Sequence, residues 1–185
     1  MDNQPVSTAE VLVSKTKEEV IKESKRITEG LLYSSKGHFA AAHFWKRFHL
    51  WIGVPIVLLS AIAGASALSE FDTKHIFASG IAIITVSLSS LMTFLNPNEK
   101  ANAYLNAANG HDALMYKVRI FSSIDCWGGE SDQVLTERLK YLSEQKSKLK
   151  DTCPQIPRWA YLIAKKGIDA GEAEYLVDKK NETVV

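Results

Sequence analysis

Two stretches of the chain carry no charged side chain, Leu50 to Ser69 and Ile76 to Asn96. Each is about twenty residues long, and at roughly 1.5 Å per residue a helix of that length crosses a hydrocarbon layer of about 30 Å. A soluble core helix this long would keep a polar face, whereas the small polar residues here are mainly Ser and Thr. The pattern predicts two transmembrane helices, residues 50–69 and 76–96, joined by an external turn at 70–75.

The flanking sequence reads as helix with a different rhythm. Residues 1–15 are polar, contain Pro5 and show no sustained period, which predicts a disordered N-terminus. Across 16–49 the pattern is amphipathic. Val13, Val20 and Ile27 repeat at seven, Leu31 follows at four, and Lys17, Glu18, Glu19, Lys22 and Glu23 fill the other face; Gly37 is the expected weak point. Beyond Pro97 a helix is predicted from Glu99 to Phe121, with Tyr104, Ala108, His111, Met115 and Val118 on one stripe. Gly128 and Gly129 mark a loop over 125–131. A further helix, Ser131 to Lys150, places Leu135, Leu139, Leu142 and Leu149 at heptad a and d positions with Lys146 between them, a length suited to packing inside a bundle. After Pro154 and Pro157, the segment Arg158-Trp159-Ala160-Tyr161-Leu162-Ile163-Ala164-Lys165-Lys166-Gly167 forms a short helix that either lies on the membrane surface or caps the bundle. Residues 97–176 thus read as a cytoplasmic helical bundle and 177–185 as a flexible C-terminus. The fold class is an all-α membrane protein, a two-transmembrane helical hairpin with a cytoplasmic helical bundle, oligomeric.

Composition adds little until it is read by position. The 185 residues have a formal net charge of +1, which by itself would suit a soluble helical domain. Their distribution sets an orientation. Eight Lys or Arg lie in residues 1–49 and thirteen in 97–185, against one, Lys74, in the connecting segment. The positive-inside rule then predicts a multi-pass protein of the cell inner membrane with both termini cytoplasmic. Trp45, Lys46, Arg47 and Trp51 form an interfacial anchor where the first span begins, since amphipathic rings and snorkelling basic stems favour the headgroup region. The apolar run begins after a long polar segment, so it is read as its own insertion signal and not as a secretory leader.

The same search finds no enzyme: no phosphate-binding glycine loop, no HExxH, no nucleophile elbow. Cys126 and Cys153 lack the spacing of a metal or redox pair, and His38, His43, His49, His75 and His111 do not stand at ligand spacing from Cys or carboxylates. The expectation is no catalytic residue, no metal, no cofactor and no nucleic-acid partner; lipid and copies of the chain are the partners. Ser60 and Gly64, and Ala61 and Ala65, are small residues four apart that favour close helix approach in lipid. In the second span Ala82, Thr85, Ser89, Thr93 and Asn96 recur at three and four, a mildly polar stripe suited to lining a pore. Two helices cannot enclose a pore, so that reading needs a homo-oligomer of at least about four chains.

This layout resembles the SLATT family, two-transmembrane effectors associated with SMODS nucleotidyltransferases and SLOG sensors in bacterial conflict systems. The resemblance covers residues from about 25 to 170. It rests on the hairpin with its short outer turn, the Phe94-Leu95-Asn96-Pro97 exit, Glu99-Lys100-Ala101, and Gly110, Leu114 and Arg119 on the following helix. It implies an effector that oligomerises into a pore and permeabilises the inner membrane on a nucleotide-derived or infection signal, delivered by a separately encoded nucleotide-signalling or sensor protein or by a ligand of the bundle. A non-conducting membrane anchor that recruits a cytoplasmic enzyme is the alternative.

Overall fold

A computed structural model describes residues 8–67 and 76–175, with side chains for 15–66 and 76–175. The expected turn at 70–75, the expected flexible end at 177–185, and the side chains of Val13 and Ala67 lie outside the described residues. Among those described the protein is all-helical, without a strand: α1 (Thr8–Ala67), α2 (Ile76–Leu95), α3 (Pro97–Ser123), a single 3₁₀ turn at Asp125–Trp127, α4 (Asp132–Thr152) and α5 (Arg158–Asp169). The chain divides into two compact units. One comprises residues up to Ala40 with those from Leu105 onward; the other runs from Ala41 to Tyr104.

The helix bounds differ from the expected ones in two places. Helix begins at Thr8, inside the stretch 1–15 expected to be disordered; Ala9, Glu10 and Leu12 in this first part are good helix formers. The segments 16–49 and 50–67, read as parts of separate elements, lie in the single helix α1, which is unbroken at Gly37 and passes through Pro55. Gly37 is used for packing: a Cβ there would stand 3.0 Å from the Ile156 side chain, so its absence admits Ile156. Pro55 removes one backbone donor, a loss that helices in apolar surroundings tolerate when neighbouring groups adjust.

In the first unit the predicted periodicities become a core. Val20, Ile27 and Leu31 of α1 are buried, with Ser24, Ser35 and His38 continuing the same stripe. The two serines of that stripe are satisfied by backbone carbonyls, Ser24 donating to Val20 O at 2.8 Å and Ser35 to Ala108 O at 3.2 Å across to α3. Leu114, Met115, Val118 and Phe121 of α3 meet Leu135 and Leu142 of α4, with Leu139 and Leu149 packed against them. The leucine heptad therefore packs within the chain. Cys126 is fully buried in this core, and burial pushes its thiol pKa up, the behaviour of an inert structural cysteine. Helix α5 buries Ala160 and Ala164, and Tyr161 stacks on Tyr33 of α1 with ring centroids 6.0 Å apart, so this helix caps the bundle while Trp159, Leu162 and Ile163 stay exposed.

The second unit holds the two apolar spans. Within the span of α1 the partly covered positions are Ile52, Gly53, Ile56, Leu59, Ala63 and Ser66; in α2 Ala78 is buried and Ile81, Thr85, Leu88, Ser89, Met92 and Leu95 are partly covered. Apart from Gly53 and Ser89, which lie beside them, both rows step by alternating threes and fours, the seam expected of two helices packed at a shallow angle. Each span is long and apolar enough to cross a membrane, and apart from these seams its side chains are exposed: Trp51, Val57, Leu58, Ile83, Val86 and Phe94 all lie open.

Leu135 has no exposed surface and Leu149 is only partly covered. Leu135→Ala should therefore destabilise the bundle by about 2–5 kcal/mol, with a clearly smaller loss for Leu149→Ala. Thermal unfolding followed by circular dichroism in detergent measures both.

Candidate functional site

Two places in the molecule bear on function, one in each unit. In the span unit the anchor predicted at the start of the first span is an aromatic cluster. The Trp45 ring meets Phe44 and Phe48 edge-on at 5.5 and 5.7 Å, Lys46 and Arg47 are exposed, and Trp51 is open over 79 % of its surface. Sequence reasoning missed a member. Lys100, in the first turn of α3, places its ammonium 4.5 Å from the Trp45 ring centroid, a cation–π contact that joins the two ends of the unit.

The candidate polar stripe of α2 is divided by the seam. Thr85 lies on the seam row, Ser89 beside it is partly covered, and Ala82, Thr93 and Asn96 are exposed. The hydroxyls return to their own helix: Thr85 donates to Ile81 O at 2.8 Å and Thr93 to Ser89 O at 3.0 Å, as do Ser87 and Ser90 to Ile83 and Val86 at 2.8 Å. Hydroxyls bonded this way sit in an apolar medium without a cost in unmade hydrogen bonds, and each oxygen retains capacity to accept from water. The small residues Ser60, Ala61, Gly64 and Ala65 of α1 are all exposed and off the seam, and a Cβ placed on Gly64 would meet nothing within 4 Å.

Asn96 also shapes the junction between α2 and α3. It ends α2, its N–H donating to Met92 O at 3.0 Å, and its φ of 41° lies in the left-handed region that Asn tolerates better than most residues. It also begins α3: its carbonyl accepts from Lys100 N at 3.2 Å, its Oδ1 accepts from Glu99 N at 3.4 Å, and its amide donates to the Glu99 carboxylate. Asn96 is thus the N-cap of α3, with Pro97 at the first helical position and Glu99 held by the Asn96 side chain.

In the bundle unit the structure brings together three residues that sequence spacing does not associate. His38 comes from α1, His111 from α3, and Cys153 from the residue that ends α4. Their ligating atoms all lie within 4.8 Å of one another. The two imidazoles are 5.0 Å apart between ring centroids, and both are buried, His38 with 2 % exposure and His111 with 4 %. His111 Nδ1 lies 2.8 Å from Ala107 O; a carbonyl only accepts, so Nδ1 carries the proton and Nε2 holds the lone pair. Burial, and after it the neighbouring His111, lower the His38 pKa to about 4, which keeps that ring neutral at neutral pH. Cys153 is extended (φ −88°, ψ 149°) because the following Pro154 disfavours helical backbone, and this stops α4 at that point. The cluster opens on a cavity of about 560 Å³ lined also by Ser34, Lys146, Lys150 and Asp151.

The chain matches no protein-family model, no curated protein and no solved structure with which it was compared.

Asn96 supplies a test of the junction. Asn96→Val loses the cap, worth about 0.5–2 kcal/mol, and forces a β-branched residue into left-handed backbone at a further cost of about 1–3 kcal/mol. Asn96→Gly loses the cap alone and should fall between Val and wild type in thermal stability. Equal loss in the two variants would mean that the backbone conformation contributes nothing.

Proposed function

We propose that the protein is a membrane effector whose two spans insert in the inner membrane and assemble with copies of the chain into a pore. The observation that carries this reading is the row Ser60, Ala61, Gly64 and Ala65, which lies off the seam and is exposed among the described residues. Small residues stepped by four let a second helix come close, and in lipid such close packing is the main source of association. With the seam already formed inside one chain, this second face is free to bind another. The exposed part of the α2 stripe, Ala82, Thr93 and the partly covered Ser89, then supplies the mildly polar surface of a lumen closed by at least about four chains.

The resemblance to the SLATT family supplies the biological setting: permeabilisation in a bacterial anti-phage or conflict system, triggered by a nucleotide-derived or infection signal from a separately encoded protein. Both termini face the cytoplasm in this reading, from the excess of Lys and Arg in the flanking segments.

Gly64→Leu should convert the oligomer to smaller species, read by crosslinking in detergent and in membranes, because the leucine fills the space a neighbour needs. Conduction separates a pore from an anchor. Thr93→Asp should shift selectivity toward cations in planar bilayers, since a ring of carboxylates favours them, while Leu91→Ser should leave selectivity unchanged. A purified, assembled and activated protein that never conducts would instead support a membrane scaffold that recruits a cytoplasmic enzyme.

A further inference from the structure

We propose that His38, His111 and Cys153 together bind one divalent transition-metal ion of the zinc class, which ties α1, α3 and the α4–α5 connection to one another. The inference concerns the bundle unit alone and does not depend on the pore reading.

The donor set comes first. Two imidazoles and a thiolate are borderline-soft ligands that suit zinc and its neighbours, whereas calcium and magnesium require oxygen. Three protein donors leave one tetrahedral position, which opens on the cavity and takes a water. The states of the ligands agree with this. His111 already donates Nδ1–H to a backbone carbonyl, the outer bond that orients most metal-binding histidines and leaves Nε2 to ligate. Binding deprotonates Cys153, and its proton passes to solvent through the cavity.

The spacing is close to what an ion needs. With metal–nitrogen and metal–sulfur distances of about 2.0 and 2.3 Å, tetrahedral donors lie roughly 3.3–3.6 Å apart. The ligating atoms here lie within 4.8 Å, so a contraction of about 1 Å closes the site, within reach of side-chain rotation. The contributing elements hold the three residues from different directions. His38 and His111 are buried on facing stripes, and Pro154 fixes the backbone of Cys153 outside α4. Lys146 and Lys150 line the cavity on the same side and Asp151 offsets part of their charge. The thiolate brings the site's own charge to +1, a smaller burden beside the lysines than a bare divalent ion.

The test uses the full chain purified in detergent, reduced, stripped with a chelator and titrated with Co²⁺, then with Zn²⁺. One equivalent of Co²⁺ per chain should produce the sulfur-to-cobalt charge-transfer absorption of a thiolate ligand, Zn²⁺ should abolish it by displacement, and thermal stability should rise with Zn²⁺ concentration. Cys153→Ser should remove the charge-transfer band and weaken binding by more than about tenfold, a lower bound set by what loss of an outer-shell partner costs. His111→Gln should weaken binding similarly. Cys126→Ala, which removes the buried thiol of the core, should leave band and stoichiometry intact. Circular dichroism on Cys153→Ser, a conservative change at a partly exposed position, confirms that the variant is folded. The proposal is overturned if folded wild-type protein shows no thiolate band, or if the band survives in Cys153→Ser, or if it disappears in Cys126→Ala.

Discussion

The architecture depends on apolar surface that the described residues do not cover. Residues 50–66 of α1 and the whole of α2 meet along one narrow seam, and outside it Val57, Leu58, Ile83, Val86 and Phe94 stand open. In water, continuous apolar surface of this extent is unfavourable at roughly 25 cal/mol per Å². A hydrocarbon layer would remove that cost, and the hydroxyls of Thr85, Ser87, Ser90 and Thr93, turned back on their own helix, suit such a medium. The bundle unit obeys the opposite rule: its buried stripes are narrow, its outer faces are charged, and its core closes within one chain.

Helix type and core faces were legible because they follow from local periodicity. Val20, Ile27 and Leu31, the α3 stripe from Ala108 to Val118, and the α4 leucines all sit where their spacing put them. Continuity was harder to see. Gly37 resembles a break in a single sequence, yet its missing side chain is filled by Ile156, which the sequence brings close only through the fold. The same limit hid the His–Cys cluster, whose members lie on three elements distant in sequence.

The α2 stripe is less even than its spacing suggests. Thr85, Ser89 and Thr93 are four apart, and four residues advance about 40° beyond a full turn, so the row winds around the helix. It begins on the seam at Thr85 and reaches open surface at Thr93. A row that stays on one side must alternate threes and fours, as Ile81, Thr85, Leu88, Met92 and Leu95 do. Asn96 also had two readings. Its place in the stripe suggested a lining residue, while its left-handed backbone and its cap on α3 explain why Asn stands there before Pro97.

Because everything assigned to the spans requires that they cross a bilayer, the decisive measurement is the sidedness of the two ends of the hairpin. In intact cells, with both native cysteines replaced, a cysteine placed at Thr73 should react with an impermeant thiol reagent, and one placed at Ser7 or Thr183 should react only after the membrane is opened. Labelling of the terminal positions in intact cells, or protection of Thr73 there with labelling only after opening, would contradict the account.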